Sequence, residues 1–158
     1  PRHTRRVMIA VIQRVSAARV VIAHQTVGEI AQGLAVLAAI VRDDTDDDLQ
    51  WMLNKLLTLR VFPSSDDKGF DLDVTQIEKG GLLLVSNFTV SAILKGRRPG
   101  FDRAMPPADA KPMFARFVDL ARQQSPVPIA TGEFGADMSV QIENDGPITL
   151  ILDSKNRA

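Results

Sequence analysis

Three polar side chains stand close together in "SNFTV", residues 86–90: the hydroxyls of Ser86 and Thr89 and the amide of Asn87. They follow the apolar run "GGLLLV" (80–85), so the polar atoms arrive where a buried strand ends. Strand ends are where a rigid scaffold hands over to loops that carry sites. Two hydroxyls and an amide can position a substrate, but a nucleophile needs a base beside it. The two histidines, His3 near the start and His24 beside an expected hairpin, have no evident partner. That removes the simplest Ser-His-Asp reading and any His-rich metal site. Cysteine is absent, which excludes thiolate catalysis, disulfides and Cys-based metal centres. There is no Walker lysine loop and no GxGxxG after a strand. On residue types alone, the plainer reading of 86–89 is a strand end that satisfies its own backbone.

A second stretch is "NDGPITL" (144–150), where Gly146-Pro147 interrupts the β-forming run "MSVQIENDGPITLILD". The plain reading is a hairpin turn. The third is "KGRR", Lys95–Arg98, a local basic cluster in a chain with 19 basic and 19 acidic side chains and zero net charge. A protein that coats duplex DNA by neutralising phosphates usually carries a basic excess. Only a local patch is open here, and a solvated loop is its ordinary reading.

The elements that must position these residues read as an α+β protein. "MIAVIQRV" (8–15), "ARVVIA" (18–23), "TVGEIA" (26–31) and "GLAVLAAIV" (33–41) are β-like, and Gly28 and Gly33 suggest hairpins between them. In "DDTDDDLQWMLNKLLTLR" the apolar residues Leu49, Met52, Leu53, Leu56 and Leu57 repeat at helical spacing. Thr45 is placed to cap this helix, with Asp48 three residues on and further carboxylates at the positive end of the dipole. A calcium-loop reading of the same acids fails, because the sixth position from Asp43 is Asp48 instead of Gly. Residues 60–74 read as strand, turn and strand, and 80–90 as a strand buried on both faces. A second helix covers 108–124, with Pro112 in its first turn, and strands close the chain. The expected architecture is one domain over 8–158: a curled, antiparallel-rich sheet or β-barrel with two main helices packed on one side. Residues 1–7, "PRHTRRV", read as a basic native extension or an expression remnant. No apolar run approaches the roughly 18 residues of a membrane span, and no secretory leader is evident, so a cytoplasmic protein is expected.

Taken together, these segments resemble the D-aminoacyl-tRNA deacylase family from Met8 to about Leu152. "MIAVIQRVSAARV" is similar to its start and "GEIAQGLAVLAAI" to the hairpin and strand that follow. "SNFTV" resembles its Ser-Gln-x-Thr motif, "RRPGF" its Arg-Pro-x-Phe loop, and "TGEFGADMSVQIENDGPIT" its C-terminal signature. The resemblance implies a homodimer that hydrolyses the ester joining a D-amino acid, or glycine, to the terminal adenosine of tRNA, without metal or cofactor. It implies that Gly146 and Pro147 form a cis pair that enters the partner subunit's active site as a chiral filter, and that Arg14 holds this pair. A cis X-Pro bond costs only about 0.5–1 kcal/mol over trans, and a residue without Cβ lets backbone approach a ligand closely. Rejecting L substrates by about a thousandfold needs roughly 4 kcal/mol of clash. Thr89 matches a family threonine, read here as a positioning hydroxyl, because no base is evident beside it. Backbone N–H groups around Phe88 and Thr89 would stabilise the oxyanion, and the 2′-hydroxyl of the terminal ribose would assist water. Phe134 and Met138 match residues near the adenosine pocket, with core packing as their alternative. Asn87 departs from the family's usual Gln; one methylene shorter, it is expected to lose or water-bridge any hydrogen bond made there. Two other readings remain: a related deacylase with relaxed chirality, and a non-catalytic nucleic-acid-binding protein on the same fold.

Overall fold

The structure, a computed structural model, describes residues 8–66 and 69–155. The extension 1–7 and the last three residues of the tail "DSKNRA" lie outside the described residues. In chain order the elements are β1 (Ile9–Ile22), β2 (Gln25–Ile30), β3 (Gly33–Ala39), α1 (Asp46–Thr58) and β4 (Gly81–Ser86). A 3-10 turn (Phe88–Ser91) follows, then β5 (Ile93–Lys95), β6 (Arg98–Gly100), α2 (Pro107–Gln124), β7 (Ile129–Thr131) and β8 (Ser139–Asp153).

The two strands expected over 8–23 are a single strand, β1. No Gly or Pro interrupts it, so the chain bends without ending. One edge of β1 pairs antiparallel with β3 through residues 9–15 and then with β2 through 18–22. The other edge pairs with β8 along most of its length. β3, β4 and β7 continue as a parallel set, each crossover carried by one of the two helices. The far edge of β7 returns to β2, where Thr131 lies backbone to backbone against Gly28 and nearly closes a barrel.

Gly28 and Gly33 serve close approaches between strands, Gly28 at that closure and Gly33 where β3 meets β4, and not the hairpins expected of them. A Cβ on Gly28 would stand 2.2 Å from the Thr131 carbonyl oxygen, and one on Gly33 would stand 1.9 Å from that of Gly81. The β1–β2 turn is made instead by Ala23 and His24, at φ 48° and 64°. The expected strand pair at 60–74 reduces to one bridge, Phe62 with Leu72. The strand expected over 80–90 ends at Ser86, and α2 begins at Pro107, which puts Pro112 in its second turn.

β4 shows how one strand serves two cores, since successive side chains point to opposite faces. Leu82 and Leu84 join Ile12, Leu34, Val36 and the buried faces of α1 and α2. Leu83 and Val85 point the other way, into the barrel, with Val15, Ala18, Val20 and Ala35. α1 is capped as its sequence predicts, Asp48 Oδ2 accepting from the Thr45 N–H at 2.9 Å. The other oxygen of Asp48 accepts from the Ser154 hydroxyl at 2.9 Å, tying the end of the last strand to the start of the first helix. No helix among the described residues is long and apolar enough to cross a membrane.

Candidate functional site

A cavity of about 890 Å³ opens where β3 and β4 end. Leu37, Val85 and Ser86 line its floor, Asn87, Phe88 and Phe101 one wall, and Phe134, Met138, Val140 and Ile142 the opposite wall. A largely apolar chamber of this size with a few placed polar groups is what a small-molecule moiety needs.

Of the polar side chains that line it, Ser86 and Asn87 come from the end of β4 and the turn that follows. The Asn87 N–H donates to Ala38 O at 2.8 Å, which pins the turn to the end of β3. The Asn87 side chain then caps the 3-10 turn: Oδ1 accepts from the Thr89 N–H at 3.2 Å and from the Thr89 hydroxyl at 2.5 Å. The Asn87 amide is thus engaged locally, within its own turn. Below the turn, the buried Ser91 hydroxyl donates to Phe88 O at 2.7 Å, and Arg103 Nε donates to Ser91 O at 3.0 Å. Phe88 is 55% exposed and meets the edge of Phe101, ring centroids 5.0 Å apart. Thr89 is also exposed, one residue beyond the lining.

Phe134 and Met138 each serve twice. Both line the cavity, and both also pack against a core cluster, Phe134 through Phe114. Packing and lining are therefore not alternatives here.

Arg14, Gly146 and Pro147 are not among the residues that line this cavity; they form a second cluster, on β1 and β8. Within one chain the structure does not bring Gly146-Pro147 to the Ser86–Thr89 turn. Gln13 pairs with Thr149 and Val15 with Asn144, so residues 145–148 of β8 leave the ladder opposite the single residue Arg14. The Gly146-Pro147 peptide in this excursion is cis and both residues are exposed, where a plain hairpin would have reversed the chain. Two side chains hold the excursion. The Arg14 guanidinium donates to Val61 O at 2.8 Å, forms an ion pair with Asp145 at 3.2 Å, and lies against Gly146. Asn144 Nδ2 donates to Arg14 O at 3.0 Å and to Ile148 O at 2.9 Å, spanning the gap in the ladder.

Residue reasoning missed Asn144, Asp145 and Arg42. An amide and an acid directly before Gly-Pro were a signal of sorts, since Asn and Asp bind nearby backbone in irregular segments. Nothing in the sequence singled out Arg42, which lines the cavity and donates from Nε to Asp102 O at 2.8 Å. Among the described residues, no three His, Asp or Glu side chains converge as a metal site.

Residues 11–153 match the D-Tyr-tRNA(Tyr) deacylase family. A protein of Geobacter sulfurreducens named D-aminoacyl-tRNA deacylase is 48% identical, over 96% of this chain and 98% of its own length. One of Chromohalobacter salexigens with the same name is 52% identical, over 93% of this chain and 100% of its own length. Among solved structures, the c-Myc DNA Unwinding Element Binding Protein superposes with a TM-score of 0.86 at 38% identity, covering 91% of this chain and 97% of that one. Fold, cavity and relatives define a hydrolase that acts on aminoacyl-tRNA. The chain belongs to the D-Tyr-tRNA(Tyr) deacylase family.

Proposed function

We propose that this enzyme frees tRNA from D-amino acids, and from glycine on a non-cognate tRNA, while refusing L-aminoacyl-tRNA. The reading places the terminal adenosine between Phe134 and Met138 and the ester beside the Ser86–Thr89 turn. Water attacks the ester carbonyl, the bond to the ribose oxygen breaks, and the 2′-hydroxyl helps to pass the proton. Thr89 positions the substrate through its hydroxyl oxygen, and Asn87 keeps the hydroxyl proton turned away from the ester. The Thr89 N–H is already taken by Asn87. The Phe88 N–H, first in its turn and so without an intrahelical partner, is the better donor to the oxyanion. This departs from the expectation that both N–H groups serve.

The observation that carries this reading is the organised Asn87–Thr89 pair at the mouth of an apolar cavity, in a chain of this family. The filter is assigned to Gly146-Pro147 of a second copy, with Arg14 holding it. Support comes from the exposed excursion itself and from the exposed Leu150 and Ile151 just beyond it, an apolar surface suited to a partner. The proposed working unit is a homodimer in the cytoplasm, needing no cofactor. Hydrolysis of one tRNA charged with D- and then with L-tyrosine tests this. Release of the D form alone is expected; equal release of both removes the filter and leaves a deacylase of relaxed chirality. The name of the DNA unwinding element binding protein favours a second reading, a binding protein on this fold. Failure to release either form, with salt-sensitive binding to duplex DNA, would bring it forward.

A further inference from the structure

The β5–β6 hairpin does nothing for the core. Among the described residues its strands pair only with each other, Ile93 with Gly100 through Lys95 with Arg98, and nearly all of its residues are exposed. Gly96 at its tip has φ +62° and nothing within 4 Å of the space a Cβ would fill, so the tip stands in open solvent. Residues 93–100 carry three cations and no carboxylate, in a chain whose charges otherwise balance. Lys95 is engaged, donating to Asp102 at 2.8 Å; that hydrogen bond and the carboxylate's charge raise its pKa. Arg97 and Arg98 show no ion pair among the described residues. Beside them Leu94 is 77% exposed.

The hairpin is rooted at the cavity mouth. It leaves the chain two residues after the Phe88–Ser91 turn and returns at Phe101, whose ring meets Phe88. An exposed aromatic face beside unpaired guanidinium groups is how proteins hold single-stranded nucleic acid, stacking a base and neutralising the phosphates beside it. If the cavity takes the terminal adenosine, the preceding nucleotides must leave by this mouth. Resting on the reading of the site above, we propose that the β5–β6 hairpin is an arm that grips the single-stranded 3′ end of tRNA. Arg97 and Arg98 hold its phosphates, and Phe88 stacks the base next to the terminal one. The solvated-loop reading accounts for the charge of this hairpin but not for its place on the rim.

The test is binding of uncharged tRNA to the full chain across a salt series, for native protein, Arg97→Ala/Arg98→Ala and Arg97→Lys/Arg98→Lys. Each phosphate contact to a single strand contributes about 0.7 to the slope of log affinity against log salt. Losing two contacts should lower that slope by about 1.4, which weakens binding about tenfold at low salt. The lysine pair should keep the slope. On D-aminoacyl-tRNA, the alanine pair should raise KM by a similar factor and leave kcat within about twofold. A tRNA lacking its last four nucleotides should bind native and alanine proteins alike. An unchanged slope overturns the arm, and so does an equal loss on the shortened tRNA, or a loss on duplex DNA as large as that on tRNA. Because the binding series needs no hydrolysis, its outcome stands apart from that of the deacylase reading, which fails only if native protein releases no D-amino acid.

Discussion

Asn144 offers the sharpest test of how the Gly146-Pro147 excursion is held. Its amide nitrogen donates to Arg14 O on β1 and to Ile148 O at the far side of the excursion, and its oxygen accepts from the Thr149 hydroxyl at 3.2 Å. It stands where four residues of β8 lose their ladder partners, so it replaces ladder bonds that the bulge removes. Asn144→Ala deletes two amide–carbonyl bonds, each worth about 1 kcal/mol net, together with the bond from the exposed Thr149 hydroxyl, which water replaces. The side chain is partly buried, and water regains part of that, which leaves about 1–2 kcal/mol. With a urea slope of roughly 2 kcal/mol per molar, the unfolding midpoint should fall by about 0.5–1 M. The same loosening should reach the filter. As each 1.4 kcal/mol is a factor of ten, selectivity for D- over L-tyrosyl-tRNA should drop up to about tenfold, through faster release of the L form. Asn144→Asp keeps the shape but sets a carboxylate against two carbonyl oxygens, and should do at least as much harm. A midpoint within about 0.2 M of native and an unaltered D-to-L ratio in both variants would refute the clamp.

Thr89→Ala should slow release of D-tyrosine at least about tenfold, while stability changes by no more than about 0.5 kcal/mol because the residue is exposed; an unchanged kcat removes Thr89 from the mechanism. Asn87→Ala should slow turnover in the native background but add little on top of Thr89→Ala, since it acts through that hydroxyl; additive losses in the double variant would give Asn87 a separate role. Gly28→Ala should cost about 1–3 kcal/mol or more by forcing β2 from β7. It should also raise KM, because β7 leads into the segment carrying Phe134 and Met138. A native urea midpoint would show that the barrel does not close at Gly28.

What the sequence determined by itself is what depends on local pattern. The period of Leu49, Met52, Leu53 and Leu56 and the Thr45–Asp48 pair define α1, and the unbroken run of 81–85 defines a strand buried on both faces. Motif order carried the family, because "SNFTV", "RRPGF" and "NDGPIT" come at family spacing whatever the fold does with them. Tertiary structure decided everything that depends on two distant backbones meeting. Gly28 and Gly33 look like turn residues in one dimension, yet they are small because β7 and β4 pass against them. β1 reads as two β-like runs along the chain, and only its pairing with β8 on both sides of the bulge at Arg14 shows that it bends without ending. Asn87 looked like a shortened Gln until the 3-10 turn brought the Thr89 N–H and hydroxyl within its reach. Arg14 and Asn144, 130 residues apart, share one hydrogen bond across a bulge. Propensity and periodicity extend over neighbours along the chain, whereas a contact between strands is set by how the whole sheet closes.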